Sequence, residues 1–269
     1  MDSVLGFLSS MMGWGYTAAW SLSFYPQPLL NYSRKSTLGT TIDFPFINSL
    51  GFLAYLLSNW AFYYSPIVRE QYALRHHGLP PAVQFNDIAF AAHALLLSLI
   101  TTSQYCFPQW KFRVSTPSPS RPILGLSLGC LLAVFLVALR VYYAAPTPDA
   151  RGWCALDIAY AVSYVKLLVT VVKFTPQVVA NYRNKSTKGW SISQILLDMA
   201  GGVLSVGQLC IDAWLQGDWA GITGNPVKFL LGNVSMFYDA IFMWQHYVLY
   251  SDRGEKKGVQ GILDRRRED

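Results

Sequence analysis

Lys166 and Lys173 stand two helical turns apart in a stretch otherwise free of charge, so one helix face would carry both ammonium groups. Gln177 and Asn181 follow at spacings of four and four and continue that face towards the next loop. Asp198 lies in the following apolar stretch, with Gln194 one turn before it. Ionised side chains inside apolar segments are costly and mark functional positions by default. The two lysines would take carboxylates as point charges, and Asp198 would meet an ammonium group or bind a proton. Burial favours the neutral acid and neighbouring ammonium groups favour the carboxylate, so a group held between them can load and release a proton. The set suits a substrate that carries both signs of charge. A Lys173–Asp198 ion pair joining two helices would use the same residues for structure alone.

The other polar residues of the apolar stretches carry less. Asp87 and Asp239 could cap a helix or sit near an interface, and His93 reads as a satisfied core residue. Asp157 and Arg140 fall near the ends of their stretches, where snorkelling accounts for them. No nucleophile–base constellation, metal-ligand cluster or phosphate loop stands out, so no enzyme activity and no cofactor are expected. The four cysteines lack paired spacing and read as packing residues.

The elements that must position these groups are membrane helices. Only 13% of the 269 residues are charged, against about 25% in soluble domains, and mean hydropathy is +0.27. The uncharged stretches Met11–Tyr32, Phe44–Val68, Ile88–Trp110 and Pro122–Leu139 each reach or near the roughly 20 residues that span a bilayer. Three more, about 153–179, 191–214 and 229–250, are broken by single charges. Seven spans follow, at about 11–32, 44–66, 86–108, 122–144, 153–182, 191–214 and 227–250. The apolar first stretch has no basic region before it and reads as a span, not a leader.

Basic residues gather on one side. They are Arg34 and Lys35 after the first span, Lys111, Arg113 and Arg121 after the third, Arg183, Lys185 and Lys188 after the fifth, and the tail. Arg69, Arg75, Arg151 and Lys228 are left for the other side. The C-terminus is therefore expected in the cytosol and the N-terminus in a lumen or outside the cell. The net charge of +6 is a topology signal with a lipid partner, not a nucleic-acid footprint. The sequons at Asn31 and Asn184 fall on the cytosolic side and read as chance matches.

One string occurs twice at a fixed offset. Phe24-Tyr25-Pro26-Gln27, Asn31-Tyr32 and Lys35-Ser36-Thr37-Leu38-Gly39 return as Phe174-Thr175-Pro176-Gln177, Asn181-Tyr182 and Lys185-Ser186-Thr187-Lys188-Gly189. Asn48 pairs with Asp198 and Gly51 with Gly201 at the same offset. Interrupted apolar segments at matching positions of two halves point to a transporter site. The first half is residues 11–110, the second 151–250, with a linker loop and helix at 111–150 and a basic tail at 251–269. The odd linker span makes the two three-helix units parallel repeats, as in SWEET sugar transporters. Prolines inside helices would free the carbonyls of Leu22 and Val172 and kink both spans. Pro26, Gln27, Pro176 and Gln177 are therefore candidate hinges.

The paired Pro-Gln strings, with Trp20-Ser21-Leu22-Ser23, Gly189-Trp190-Ser191-Ile192 and Leu196-Leu197-Asp198, resemble the PQ-loop family. Within it they resemble its proton-coupled exporters of cystine from lysosomes. The resemblance implies an all-α integral membrane protein of the lysosome or vacuole. It places substrate among Trp20, Phe24, Asn48, Lys166, Lys173, Asn181 and Asp198, with Asp198 binding the coupled proton. Asp87 would lie in the proton route and Asp239 would support it. Gln194 stands where the family pattern has asparagine. Cytosolic nutrient-signalling partners would read the basic loops. A carrier of cationic amino acids is the nearest rival, although two lysines would repel its substrate. A receptor that binds ligand without moving it is the rival of another class.

Overall fold

The computed structural model describes residues 2–76, 85–145, 152–216 and 226–250, with 78, 80, 81 and 83. The basic tail, Arg151 and the side chain of Lys228 lie outside the described residues, as does the side chain of Asn86. The described chain is helical: α1 Asp2–Ser23, α2 Pro26–Arg34, α3 Asp43–Tyr64, α4 Pro66–Arg75 and α5 Phe85–Cys106. Then come α6 Arg121–Tyr142, α7 Ala155–Val172, α8 Thr175–Asn184, α9 Ile192–Gln216 and α10 Pro226–Trp244, which runs into a π-turn at Gln245–Leu249. A parallel bridge joins Ser36 to Arg113. The segments Asp87–Cys106, Arg121–Tyr142 and Ala155–Asn184 are long and apolar enough to cross a bilayer. This is a multi-pass helical membrane protein.

The prolines do not sit where a kink requires. Each opens a new short helix: Pro26 is the first residue of α2, and Pro176 lies in the first turn of α8. That turn needs no proline N–H, and its backbone angle is preset for a helix. The carbonyl of Leu22, expected to be freed, accepts from the Tyr25 N–H at 3.1 Å. The first expected span is thus two helices, α1 starting nine residues earlier and α2 following it. The fifth divides in the same way, so Lys166 and Lys173 do not continue along one helix to Gln177 and Asn181.

The chain packs as two compact units that interleave in sequence. One unit holds α1, α2, the loop around Phe107–Pro117, α8, α9 and α10. Its longest contact is α1 along α9, made close by Gly201: a methyl there would run into the Trp20 indole. Its core includes the stacked rings of Trp190 and Phe242, 5.3 Å apart, with Phe174 edge-on at 5.6 Å.

The other unit holds α3 to α7. Here α3 packs on both α5 and α7. Ile47, Ala54, Ile123, Cys130, Val165 and Val169 form its main apolar cluster. Gly51 admits Val169, as a Cβ there would lie 2.6 Å from the valine Cγ1. The pairing is crosswise within the two units. The first helix of one repeat packs on the second helix of the other, α1 on α9 and α7 on α3.

Candidate functional site

The glutamines of the two Pro-Gln strings do matching work in the first unit. Gln27 Nε2 donates to the Gly189 carbonyl at 2.9 Å, and its Oε1 accepts from the Ser191 N–H at 2.7 Å. Gln177 Nε2 donates to the Gly39 carbonyl at 3.2 Å, and its Oε1 accepts from the Thr41 N–H at 3.2 Å. Each glutamine therefore holds the other repeat's loop by a donor–acceptor pair. Each also donates to the asparagine one turn on, Asn31 at 2.9 Å and Asn181 at 2.8 Å. Gln27, Gln177, Asn31 and Asn181 are all buried, so these amides must be satisfied internally.

Why the loops can meet is local. Lys35 and Lys185 end α2 and α8 in the left-handed region, at φ 47° and 49°. Four residues on, Gly39 and Gly189 take φ 95° and 102°, which favours glycine. There the loops cross so closely that a Cβ on Gly39 would strike the Lys188 carbonyl, and one on Gly189 the Leu38 carbonyl.

Asp198 sits half-buried on α9 in the same unit. Its Oδ2 accepts from the Ser235 hydroxyl of α10 at 2.7 Å. Its backbone carbonyl accepts from Trp20 Nε1 at 3.2 Å, so the indole of α1 is anchored beside the acid. Gln194 is buried one turn earlier, Asp239 is wholly buried on α10, and Phe24 follows the end of α1. Asn181 keeps both ends of its amide engaged: Nδ2 donates to Gln245 Oε1 at 3.0 Å while Oδ1 accepts from Gln177.

The remaining expected residues belong to the second unit. Lys166 lies on α7 with Nζ 3.4 Å above the Phe52 ring, a cation–π contact that holds the ammonium group without neutralising it. Lys173 caps α7 through its N–H to the Val169 carbonyl at 2.8 Å. Asn48 is buried on α3, its Nδ2 donating to Ser98 Oγ at 3.1 Å, and its Oδ1 has no hydrogen-bond partner among the described atoms. Asp87 stands half-buried in the first turn of α5.

Snorkelling does not describe Asp157, which has a partner. Arg75 of α4 grips the Asp157 carboxylate with two nitrogens at 2.6 and 2.8 Å, while Asp157 also accepts from the Cys154 N–H at the start of α7. The side-chain hydrogen bond to Asp157 holds the Arg75 guanidinium above its ordinary range. His76 adds a 2.9 Å bond to the Tyr160 hydroxyl and stacks on Tyr72. Arg140 faces the Trp153 ring at 6.0 Å. The Asp157 cap has a sequence signal, an acid three residues after a helix-start position. Nothing in the sequence names Arg75 as its partner. Ser235 and Gln245 also went unforeseen; Ser235 lies four residues before Asp239, on the face that meets α9.

The PQ loop repeat family model matches residues 8–68 and 158–218, each containing one Pro-Gln string. A cystinosin homolog of Caenorhabditis briggsae is 41% identical over 249 residues, covering 92% of this chain and 59% of the relative. One from Dictyostelium discoideum is 37% identical over 262 residues, covering 97% of this chain and 88% of the relative. The cystine transporter of Saccharomyces cerevisiae is 26% identical over 256 residues, 92% and 95% of the two chains. The chain thus spans less than two thirds of the nematode relative and nearly all of the amoebal and yeast ones. With both Pro-Gln strings matched and the amoebal relative covered nearly end to end, the chain belongs to the cystinosin family of PQ loop repeat proteins.

Proposed function

We propose that this protein moves cystine together with protons from the acidic lumen of a lysosome or vacuole into the cytosol, by alternating access. The observation that carries the reading is the likeness to cystinosin homologs and to a yeast protein named as a cystine transporter, over more than nine tenths of this chain. The chemistry agrees with it. Cystine carries two ammonium and two carboxylate groups. Lys166 and Lys173 take the carboxylates, and Asp198 carries the coupled proton. Trp20, Phe24, Asn48, Asn181 and Gln194 line the path of the substrate, and Asp87 and Asp239 serve the proton route. The breaks between α1 and α2 and between α7 and α8, at Pro26-Gln27 and Pro176-Gln177, act as hinges in this reading. In this reading seven spans form two parallel three-helix repeats, with the N-terminus lumenal and the C-terminus cytosolic.

Ligand selectivity of the purified full chain tests it. Cystine should raise the Tm in detergent at acidic pH, while arginine and glucose leave it unchanged. Stabilisation by arginine alone would move the chain to cationic amino acids. Stabilisation by cystine without flux in proteoliposomes would make it a receptor.

A further inference from the structure

We propose that Lys35, Lys111 and Lys185, with the cations beside them, form a docking surface for the phosphate-bearing headgroups of anionic lipids in the cytosolic leaflet. The choice of leaflet rests on the orientation proposed above. The surface itself rests on backbone geometry, ring contacts and charge.

Among the described residues, these three lysines are the non-glycine positions with positive φ, at 47°, 54° and 49°. Lys35 ends α2, Lys185 ends α8, and Lys111 ends the short turn Pro108–Trp110. Glycine takes this conformation freely and lysine does not. A cation is favoured at a helix C-terminus, but a lysine in the last turn would serve there with ordinary backbone angles. The left-handed position goes with a support. Nζ of Lys35 lies 3.4 Å over the Tyr32 ring and Nζ of Lys185 lies 3.4 Å over the Tyr182 ring, each ring three residues earlier. Lys111 stands between Trp110 and Phe112, whose rings are 5.5 Å apart and both meet Tyr32 edge-on. A ring face holds an ammonium group without neutralising it, so N–H donors remain for an anion.

The first unit gathers these lysines with further cations. The Arg113 N–H donates to the Lys35 carbonyl at 3.0 Å, which fixes the loop of Lys111 beside Lys35. Where the loops cross, Arg34 lies against Gly189, next to Lys188. Residues 24–42, 107–121 and 174–192 contain no Asp or Glu, and none of these six cations has an ion pair among the described residues. The face lacks a counter-ion of its own, and its place favours lipid over an acidic protein. Lys185 directly follows a segment able to cross a bilayer, and Lys111 comes shortly after another. That is headgroup depth, where exposed aromatic residues such as Tyr32 and Tyr182 also settle. Basic clusters of this size beside membrane helices attract anionic lipid.

The test compares acyl-labelled phosphatidylserine with acyl-labelled phosphatidylcholine for binding to the purified full chain in detergent micelles. Wild type should prefer phosphatidylserine at least about fivefold, and the preference should shrink as salt rises. Combining Lys35→Gln, Lys111→Gln and Lys185→Gln should bring the two lipids level without loss of Tm, while arginine at the same three positions should keep the preference. Tyr32→Leu with Tyr182→Leu keeps every charge and should lower the preference about threefold. Neutralising Lys256, Lys257, Arg265, Arg266 and Arg267 of the tail should leave it unchanged. No preference in wild type, or a preference lost with the tail cations and kept without the three lysines, overturns the proposal. Displacement of the lipid by millimolar inorganic phosphate overturns it in favour of a free anion, and equal displacement by a glutamate-rich peptide in favour of an acidic protein. Micelles have no sides, so the result is independent of the orientation reading, whose failure would only move the surface to the other leaflet.

Discussion

Gly39 and Gly189 cross with their backbones close together, and the carbonyls of Lys188 and Leu38 occupy the space where their side chains would stand. Both lie in the left-handed region, and each loop is held by the glutamine of the opposite repeat. The duplicated string is thus a mutual clamp, and its Gly and Gln members are needed together.

Alanine at Gly189 meets both a disfavoured φ and the Leu38 carbonyl. Gly189→Ala should lower stability by about 1–3 kcal/mol and reduce the amount of folded protein. Gly129→Ala on α6, where a Cβ meets nothing within 4 Å, should be neutral or slightly stabilising. Thermal melts of the two purified variants against wild type check the difference; equal melts would remove the crossing from the account.

Ser235 supplies a hydroxyl donor to the Asp198 carboxylate. Ser235→Ala should cut gradient-driven cystine uptake about tenfold at unchanged surface expression, while Ser235→Thr, which keeps a hydroxyl, should stay within about threefold. Unimpaired uptake by the alanine variant would mean that Asp198 needs no such partner.

Arg75 joins α4 to the first turn of α7 by a two-pronged ion pair. Removing one partner leaves a partly buried charge, so Arg75→Ala should cost about 1–3 kcal/mol. Arg75→Lys should recover only part, because an ammonium group cannot make the fork. Melts of the two variants in detergent test that order, and a lysine variant as stable as wild type would show that the fork adds nothing.

The parts of this molecule that follow from local chemistry were legible in its sequence. Uncharged stretches of membrane length marked the long helices, and the repeated string marked the two loops that the glutamines clamp. The prolines misled because a proline in an apolar run can kink one helix or open a second. What decides is the partner of the preceding carbonyl, which sequence does not print. Helix α4 carried a signal, Ser65-Pro66 as cap and first residue, and the Ser65 hydroxyl does accept from the Val68 N–H. The crosswise pairing of α1 with α9 and α7 with α3 was not readable, because a repeat shows which segments are alike and not which touch. Gly51 and Gly201 stood out only as matched positions, and their large neighbours, Val169 and Trp20, come from the other repeat. Arg75 and Asp157 are 82 residues apart, beyond the reach of any spacing rule.

The most direct test is uptake of radiolabelled cystine into proteoliposomes with and without an inward proton gradient, wild type beside Asp198→Asn. The account predicts that the gradient stimulates wild-type uptake, and that the variant inserts normally but loses the stimulation. Cystine flux that ignores the gradient in wild type, or an Asp198→Asn variant stimulated as strongly as wild type, would contradict it.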